Sequence, residues 1–193
     1  MEIIEVSKDT YGEIIRIPYF IYGSADFNDL NKSKCEELYY LLFKEGKYRL
    51  GIIGGSKDGI FCSPISAPFG AFSFVSEDVK LQYIEEAIKI LKQWVVRKGM
   101  KAIILTLPPS IYCESFFAKQ LNSLWRSEFE VLYIDLNYFF PLNVFDNNFN
   151  EHIWHNARKN LRIALNCGLE FQQCNTEEGK KLAYEIIRKN REE

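Results

Sequence analysis

Leu38-Tyr39-Tyr40-Leu41-Leu42-Phe43, broken by Lys44-Glu45-Gly46-Lys47; Tyr48-Arg49-Leu50-Gly51-Ile52-Ile53, broken by Gly54-Gly55-Ser56-Lys57-Asp58-Gly59; then Ile60-Phe61-Cys62-Ser63. Aromatic, β-branched and leucine residues fill these runs, and glycine marks each break between them. That pattern predicts strands joined by tight turns, here a three-stranded antiparallel meander.

Working outward, Glu2 to Val6 reads as a short strand. Tyr11 to Phe27 is apolar and aromatic but interrupted by Pro18 and Gly23, which predicts short helical or irregular structure. Asp26 to Cys35 is a polar connection with room for a helical turn. Downstream, Pro64 to Phe72 is a loop, and Ser76 is placed to cap a long helix with Glu77 and Asp78 in its first turn. Val79, Tyr83, Ile84, Ala87, Ile88, Leu91, Trp94 and Val95 form the apolar face of that helix, and Gly99 ends it. Ala102 to Leu107 reads as a buried strand stopped by Pro108-Pro109, Glu114 to Trp125 as a helix, and Phe129 to Leu136 as another strand. Strand, helix, strand, helix, strand implies parallel neighbours joined by crossovers. The expected class is α/β with an α+β mixed sheet: a meander, then helix-strand crossovers, with helices on both faces.

The chain has 193 residues, 47% of them hydrophobic and 26% charged, which suits a packed core rather than wholesale disorder. A net charge of −2 gives no bulk attraction to DNA, RNA or anionic membrane, so any phosphate-binding surface must be a local patch. The aromatic share of 15% points to large cores ahead of a substrate groove. Five cysteines, none in a CxxC pair, together with no signal peptide and no membrane-length apolar run, predict a cytoplasmic protein with reduced thiols. The two histidines, His152 and His155, match no zinc-ligand spacing, and nothing sets either beside a thiol. No metal site and no catalytic cysteine are expected.

The last third, Phe149 to Asn190, carries a basic amphipathic helix from His152 to Cys167. Ile153, Trp154, Ala157, Leu161, Ala164 and Leu165 recur at three- and four-residue steps, which predicts a buried stripe. Arg158 and Arg162 share another face with Lys159 nearby. Gly168 is a natural helix stop, Leu169 to Gln173 alternates like a strand, and a helical pattern resumes at Glu177. Residues 1–146 are therefore expected to form one domain, 147–168 a bridging helix, and 169–193 the opening of a second, incomplete domain.

This order resembles the acyl-CoA N-acyltransferase (GNAT) fold, and the tail resembles the FemAB-like acyltransferases. There a strand ending in "DL", here Tyr133-Ile134-Asp135-Leu136, leads to a helix of the form R-x-x-I/L-R-x-A-x-x-x-G, here Arg158, Leu161, Arg162, Ala164 and Gly168. The topology covers most of the chain; the motif covers about Tyr133 to Asn190 and the Ser63–Phe72 loop. The resemblance implies two GNAT-like domains in tandem, bridged by this helix. It implies acyl transfer to a primary amine of a small molecule or peptide, from acyl-CoA or an aminoacyl-tRNA as donor substrate. The charge balance lends tRNA no support. The GNAT pyrophosphate loop, R/Q-x-x-G-x-G/A, has no good counterpart, since Ile65 to Ala71 holds one glycine and a proline that cannot donate. The donor grip is therefore expected in the second domain, with no cofactor held here and no turnover by this chain alone. The alternative is a noncatalytic GNAT-like binding or interaction module. Incomplete C-terminal elements could pair in a homodimer.

Candidate ligand contacts follow from position. Ser66, Phe69 and Gly70 lie on a loop at the mouth of the sheet, where ligands bind in α/β proteins, although Pro68-Phe69-Gly70 equally suits a stiff turn with Phe69 plugging the core. Tyr112 follows a strand in the same way, after a proline turn. Arg158, Lys159 and Arg162 suit a phosphate or carboxylate, or simply a solvated helix face. Among the carboxylates, Asp135, Glu114 and Glu170 are all candidates for a general base, and no spacing selects one.

Overall fold

In a computed structural model, which describes residues 1–144 and 149–192, the three-stranded antiparallel meander forms, but Gly54–Lys57, read as a break, continue the second strand and only Asp58-Gly59 turn the chain. β2 (Glu37–Glu45) and β3 (Lys47–Lys57) pair antiparallel with Tyr40 opposite Ile53 and Phe43 opposite Leu50, and the register shifts at Phe43/Lys44 beside the Gly46 turn. β4 (Ile60–Ser63) follows through Asp58 and Gly59, at φ 54° and 74°. Two successive positive φ angles match the two-residue hairpin loop whose twist suits the flanking strands. β1 (Glu2–Glu5) adds antiparallel to β2.

A helix crossover then brings in the parallel strand. α3 (Leu81–Arg97) connects to β6 (Ala102–Leu105), which lies parallel to β4 with Ile60 opposite Ala102 and Ser63 opposite Leu105. The sheet order is β1-β2-β3-β4-β6, a mixed open sheet in a mixed α/β protein. Before it, α1 (Lys8–Ile14) and α2 (Ala25–Leu30) resolve the aromatic N-terminal stretch into short helices, with Ser7 and Ser24 as N-caps.

The core has two layers because neighbouring strand residues point to opposite faces. Leu41, Phe43, Leu50, Ile52, Phe61 and Phe72 pack against Ile84, Ile88, Leu91 and Trp94 of α3 and against Phe116 and Leu124 of α4 (Glu114–Arg126). On the other face Tyr40, Leu42 and Ile53 meet Tyr11, Ile15 and Ala25. Helices thus cover both faces, and Tyr11, Phe43, Phe61, Phe72 and Phe116 are fully buried.

Several expectations are corrected. Ser76 does not cap α3: its hydroxyl bonds the Asp78 carboxylate, which that bond holds below the usual carboxylate range, and the helix starts three residues beyond Asp78. Phe72–Phe74, read as the end of a loop and its sequel, is a strand, β5, paired with β3. Phe129 to Leu136 does not join the sheet. Glu128 turns the chain at φ 63°, Phe129 packs into the core, and the residues from Glu130 onward are exposed and outside any ladder. An edge position gains hydrogen bonds on one side only, so the pattern alone does not secure it.

The chain divides into two compact units, Met1–Asn137 and Tyr138–Glu193. The expected domain limit at residue 146 lies outside the described residues. The second unit holds α5 (Phe149–His152), α6 (His155–Asn166) and α7 (Glu177–Glu192). Trp154 is the N-cap of α6, with extended backbone, so it leaves the expected stripe. Only Ile153, Leu161 and Ala164 of that stripe are half-buried. Leu169 to Gln173 forms no strand and is exposed. Among the described residues no helix is long and apolar enough to cross a membrane.

Burial also sets an alkaline limit. Burial, aided by the charge of Asp29, pushes the Tyr40 phenol up to about 12; burial and a 2.7 Å hydrogen bond to Glu37 do the same for Tyr39. An unfolded tyrosine titrates near pH 10, so between roughly 10 and 12 the folded chain keeps protons that the unfolded chain releases. This stability is complete below about pH 10 and is lost as pH rises toward 12. Urea midpoints measured from pH 8 upward should stay level to about pH 10 and then fall, with a shallower fall in Tyr40→Phe. An identical slope in that variant would count against Tyr40.

Candidate functional site

β4 and β5 are one strand interrupted. Both pair along the same edge of β3, with Cys62 opposite Gly55 and Phe72 opposite Ile52. Ten residues of one strand thus span three of the other, and seven are looped out. Such an excursion strands the backbone groups of β3 beside it, and buried backbone groups need partners. Ser63 supplies them. Its hydroxyl donates to the Ile53 carbonyl at 2.6 Å and accepts from the Ala71 amide at 3.0 Å, holding Ala71 at φ 70°.

The loop is pinned to β6 as well. The Thr106 amide donates to the Ser63 carbonyl at 2.9 Å, and the Gly70 amide donates to the Thr106 carbonyl at 2.8 Å. Glycine is required at 70 by close approach, since a Cβ there would lie 2.7 Å from the Pro64 nitrogen. Between these pins Phe69 enters an aromatic cluster, its ring centroid 5.4 Å from Phe20, 5.0 Å from Tyr22 and 5.3 Å from Tyr112. Tyr112 comes from the short turn Ser110–Tyr112 after β6 and is 46% exposed, so the cluster opens to solvent at its edge.

Beneath the loop, buried polar groups face one another. Gln120 of α4 is fully buried; its carbonyl accepts from the Phe72 amide at 3.3 Å and its amide donates to the Tyr19 hydroxyl at 3.4 Å. The Tyr19 hydroxyl in turn donates to the Phe72 carbonyl at 3.3 Å. On the other side Tyr11 reaches a crevice lined by Tyr22, Gly23, Ser63, Gly70 and Ser73 that is too narrow for a water molecule. Its hydroxyl lies near Ser73 without completing a hydrogen bond. Burial pushes both the Tyr11 and Tyr19 phenols up, so both stay protonated donors at neutral pH. The loop environment is aromatic and uncharged, suited to an apolar or aromatic group with a neutral polar end rather than to an anion.

Of the residues expected here, Phe69, Gly70 and Tyr112 come together, whereas Ser66 is merely exposed on the same loop. Arg158, Lys159 and Arg162 belong to the second unit. There, with Asn150, His155, Leu161 and Leu165, they line a surface hollow of about 380 Å³. All three are exposed, and Arg158 donates to the Ile153 carbonyl at 3.1 Å. Glu114, Asp135 and Glu170 are exposed. All five thiols are free, and among the described residues no group of three His, Cys, Asp or Glu could hold a metal ion.

Sequence reading missed Ser63, Tyr19, Phe20, Tyr22 and Gln120. Only Gln120 carried a signal: it sits with Phe116, Ser123 and Leu124 on the buried stripe of α4, where an amide must find partners.

Fold and site together define a mixed α/β protein with an open sheet and an interrupted strand beside β3. No family model matches the chain, and neither a curated protein nor a solved structure does.

Proposed function

We propose that this chain is the front part of a FemAB-like N-acyltransferase, with Met1–Asn137 shaping the acceptor side of the reaction. The observation that carries the reading is the interrupted strand beside parallel β6, which sets the Phe69 loop and Tyr112 together at the carboxyl end of β4 and β6. In open α/β sheets that end is where ligands bind. The sheet order, a meander followed by a helix crossover to a parallel strand, supports the resemblance.

The chemistry is acyl transfer. The neutral amine forms a C–N bond to the acyl carbon, a carboxylate takes the proton released, and the C–S bond of a thioester or the C–O bond of an aminoacyl ester breaks. The leaving group departs as thiolate or alkoxide and is then protonated. The donor is acyl-CoA or aminoacyl-tRNA, gripped outside Met1–Asn137. The cationic face of α6 suits its phosphates.

A noncatalytic binding module is the second reading. It is favoured by the loop hydrogen bonds, which are spent internally, and by a Phe69 cluster built from Phe20, Tyr22 and Tyr112, with no carboxylate, imidazole or amine among those rings. Ligand-observed NMR on the whole chain with small primary amines bearing apolar or aromatic groups separates the two. The acyltransferase reading expects millimolar or tighter binding that weakens at least about tenfold in Phe69→Ala, a difference of about 1.4 kcal/mol. Amines that fail to bind, or bind equally to Phe69→Ala, would favour the module.

A further inference from the structure

The second unit carries its cations in two different ways. On α7, Lys180 pairs with Glu177 and Arg188 with Glu192. On α6, Arg158, Lys159 and Arg162 enter no ion pair among the described residues, and Arg158 spends one N–H on the Ile153 carbonyl at 3.1 Å. This arrangement costs the helix stability. Arg158 and Arg162 are like charges four residues apart. Arg158 and Lys159 also stand near the helix start, where the dipole disfavours cations, and the first turn has neither an acidic residue nor a side-chain cap. A bound anion would offset each of these terms.

The three side chains converge on one place. His155, Arg158, Lys159 and Arg162 follow at three- and four-residue steps, and with Asn150 of α5 they line the hollow of about 380 Å³. That volume falls in the range of small-ligand sites, about 300–1,000 Å³. No carboxylate lines it; Leu161 and Leu165, each three residues beyond an arginine, form its apolar side. Leu165 is 66% exposed, an apolar surface that the helix leaves uncovered. The cationic charge stops there as well, since the last turn of α6 has no basic residue. An extended nucleic-acid strand needs a longer cationic track, so the hollow suits a compact anion with an apolar portion. Three cations exceed the about two charges of one phosphate monoester, which favours a diphosphate.

We infer that the α6 hollow is a nucleoside diphosphate site, in which Arg158, Lys159 and Arg162 hold the phosphates and Leu161 with Leu165 packs on the base. Identifying that nucleotide with the end of an acyl-CoA donor rests on the acyltransferase reading; the site itself does not.

Calorimetric titration of ADP into the whole chain tests the site without any acyl donor or amine. At low salt ADP should bind with a Kd of about 1 mM or tighter. Arg158→Gln together with Arg162→Gln should weaken binding at least about tenfold. Far-ultraviolet circular dichroism should stay level in that variant, since glutamine forms helix nearly as well as arginine and the like-charge pair is gone. Adenosine and inorganic pyrophosphate should each bind at least about tenfold more weakly than ADP, and Leu165→Asn should weaken ADP but not pyrophosphate. Absence of ADP binding, equal binding by the double variant, or loss of helix in it overturns the proposal. Pyrophosphate as tight as ADP reduces the hollow to a general anion patch and overturns the nucleotide. A short oligoadenylate RNA that binds at least about tenfold tighter than ADP overturns it in favour of nucleic acid. Because no acyl group or amine is present, failure here leaves the amine-binding test of the acyltransferase reading standing, and the reverse also holds.

Discussion

Gly54→Ala lowers the unfolding free energy by about 3 kcal/mol or more. Gly54 lies in the middle of β3 on the face that meets α3, and a Cβ there would press into the Phe61 ring and stand 2.7 Å from the Cys62 carbonyl oxygen. Neither neighbour can give way. Phe61 is fully buried, edge-on to Trp94 at 5.7 Å, and Cys62 is held in the ladder opposite Gly55. The usual preference for alanine over glycine in a strand, about 0.5–1 kcal/mol, is therefore overridden by overlap. Gly46→Ala is the contrasting control. It meets no atom within 4 Å but sits at φ 68°, so its penalty is backbone strain of about 1 kcal/mol. Urea unfolding followed by circular dichroism measures both. A Gly54→Ala loss no larger than that of Gly46→Ala would refute the overlap.

Ser63→Ala is expected to destabilise the chain by about 2–4 kcal/mol, because one deletion orphans two buried backbone groups at about 1–3 kcal/mol each. The Ile53 carbonyl loses its donor and the Ala71 amide its acceptor; Ile53 and Ala71 are each 4% exposed. The effect should be local before it is global. The Ala71 amide, and the Gly70 amide bonded to Thr106, should lose exchange protection while Leu42 and Ile52 keep theirs. Uniform loss across the sheet, or a change under about 0.5 kcal/mol, would show that Ser63 does not pin the loop. Because the loop carries Phe69, amine binding should weaken in this variant by the same route.

The meander, α3, α4 and the first crossover were legible because each rests on local pattern. Gly46 and Gly59 stand where the backbone turns, and apolar residues recur at the step of the element they build, whereas Gly54 and Gly55 lie within a strand. The division of aromatics between core and loop was only partly legible. Tyr11, Tyr39, Tyr40, Phe43, Phe61, Phe72 and Phe116 are buried, while Phe69 and Tyr112 meet Phe20 and Tyr22 in the loop cluster. Nothing in composition separates the two groups. Ser76 misled because a serine followed by acidic residues satisfies the capping pattern equally well in a turn, where its hydroxyl meets Asp78. The expected stripe of the basic helix failed at Trp154 for a related reason. The helix begins one residue later, which takes the tryptophan out of register.

By itself the sequence determined the strand order through the meander, the crossover to a parallel neighbour and the two-sided core, since turn chemistry and hydrophobic period act between near neighbours. The tertiary structure alone decided that one strand breaks into β4 and β5, that Ser63 and Gln120 satisfy the backbone at the break, and that Phe69 and Tyr112 meet. These depend on partners as far apart as Phe72 and Gln120, and no local periodicity records which distant side chain will reach an orphaned amide.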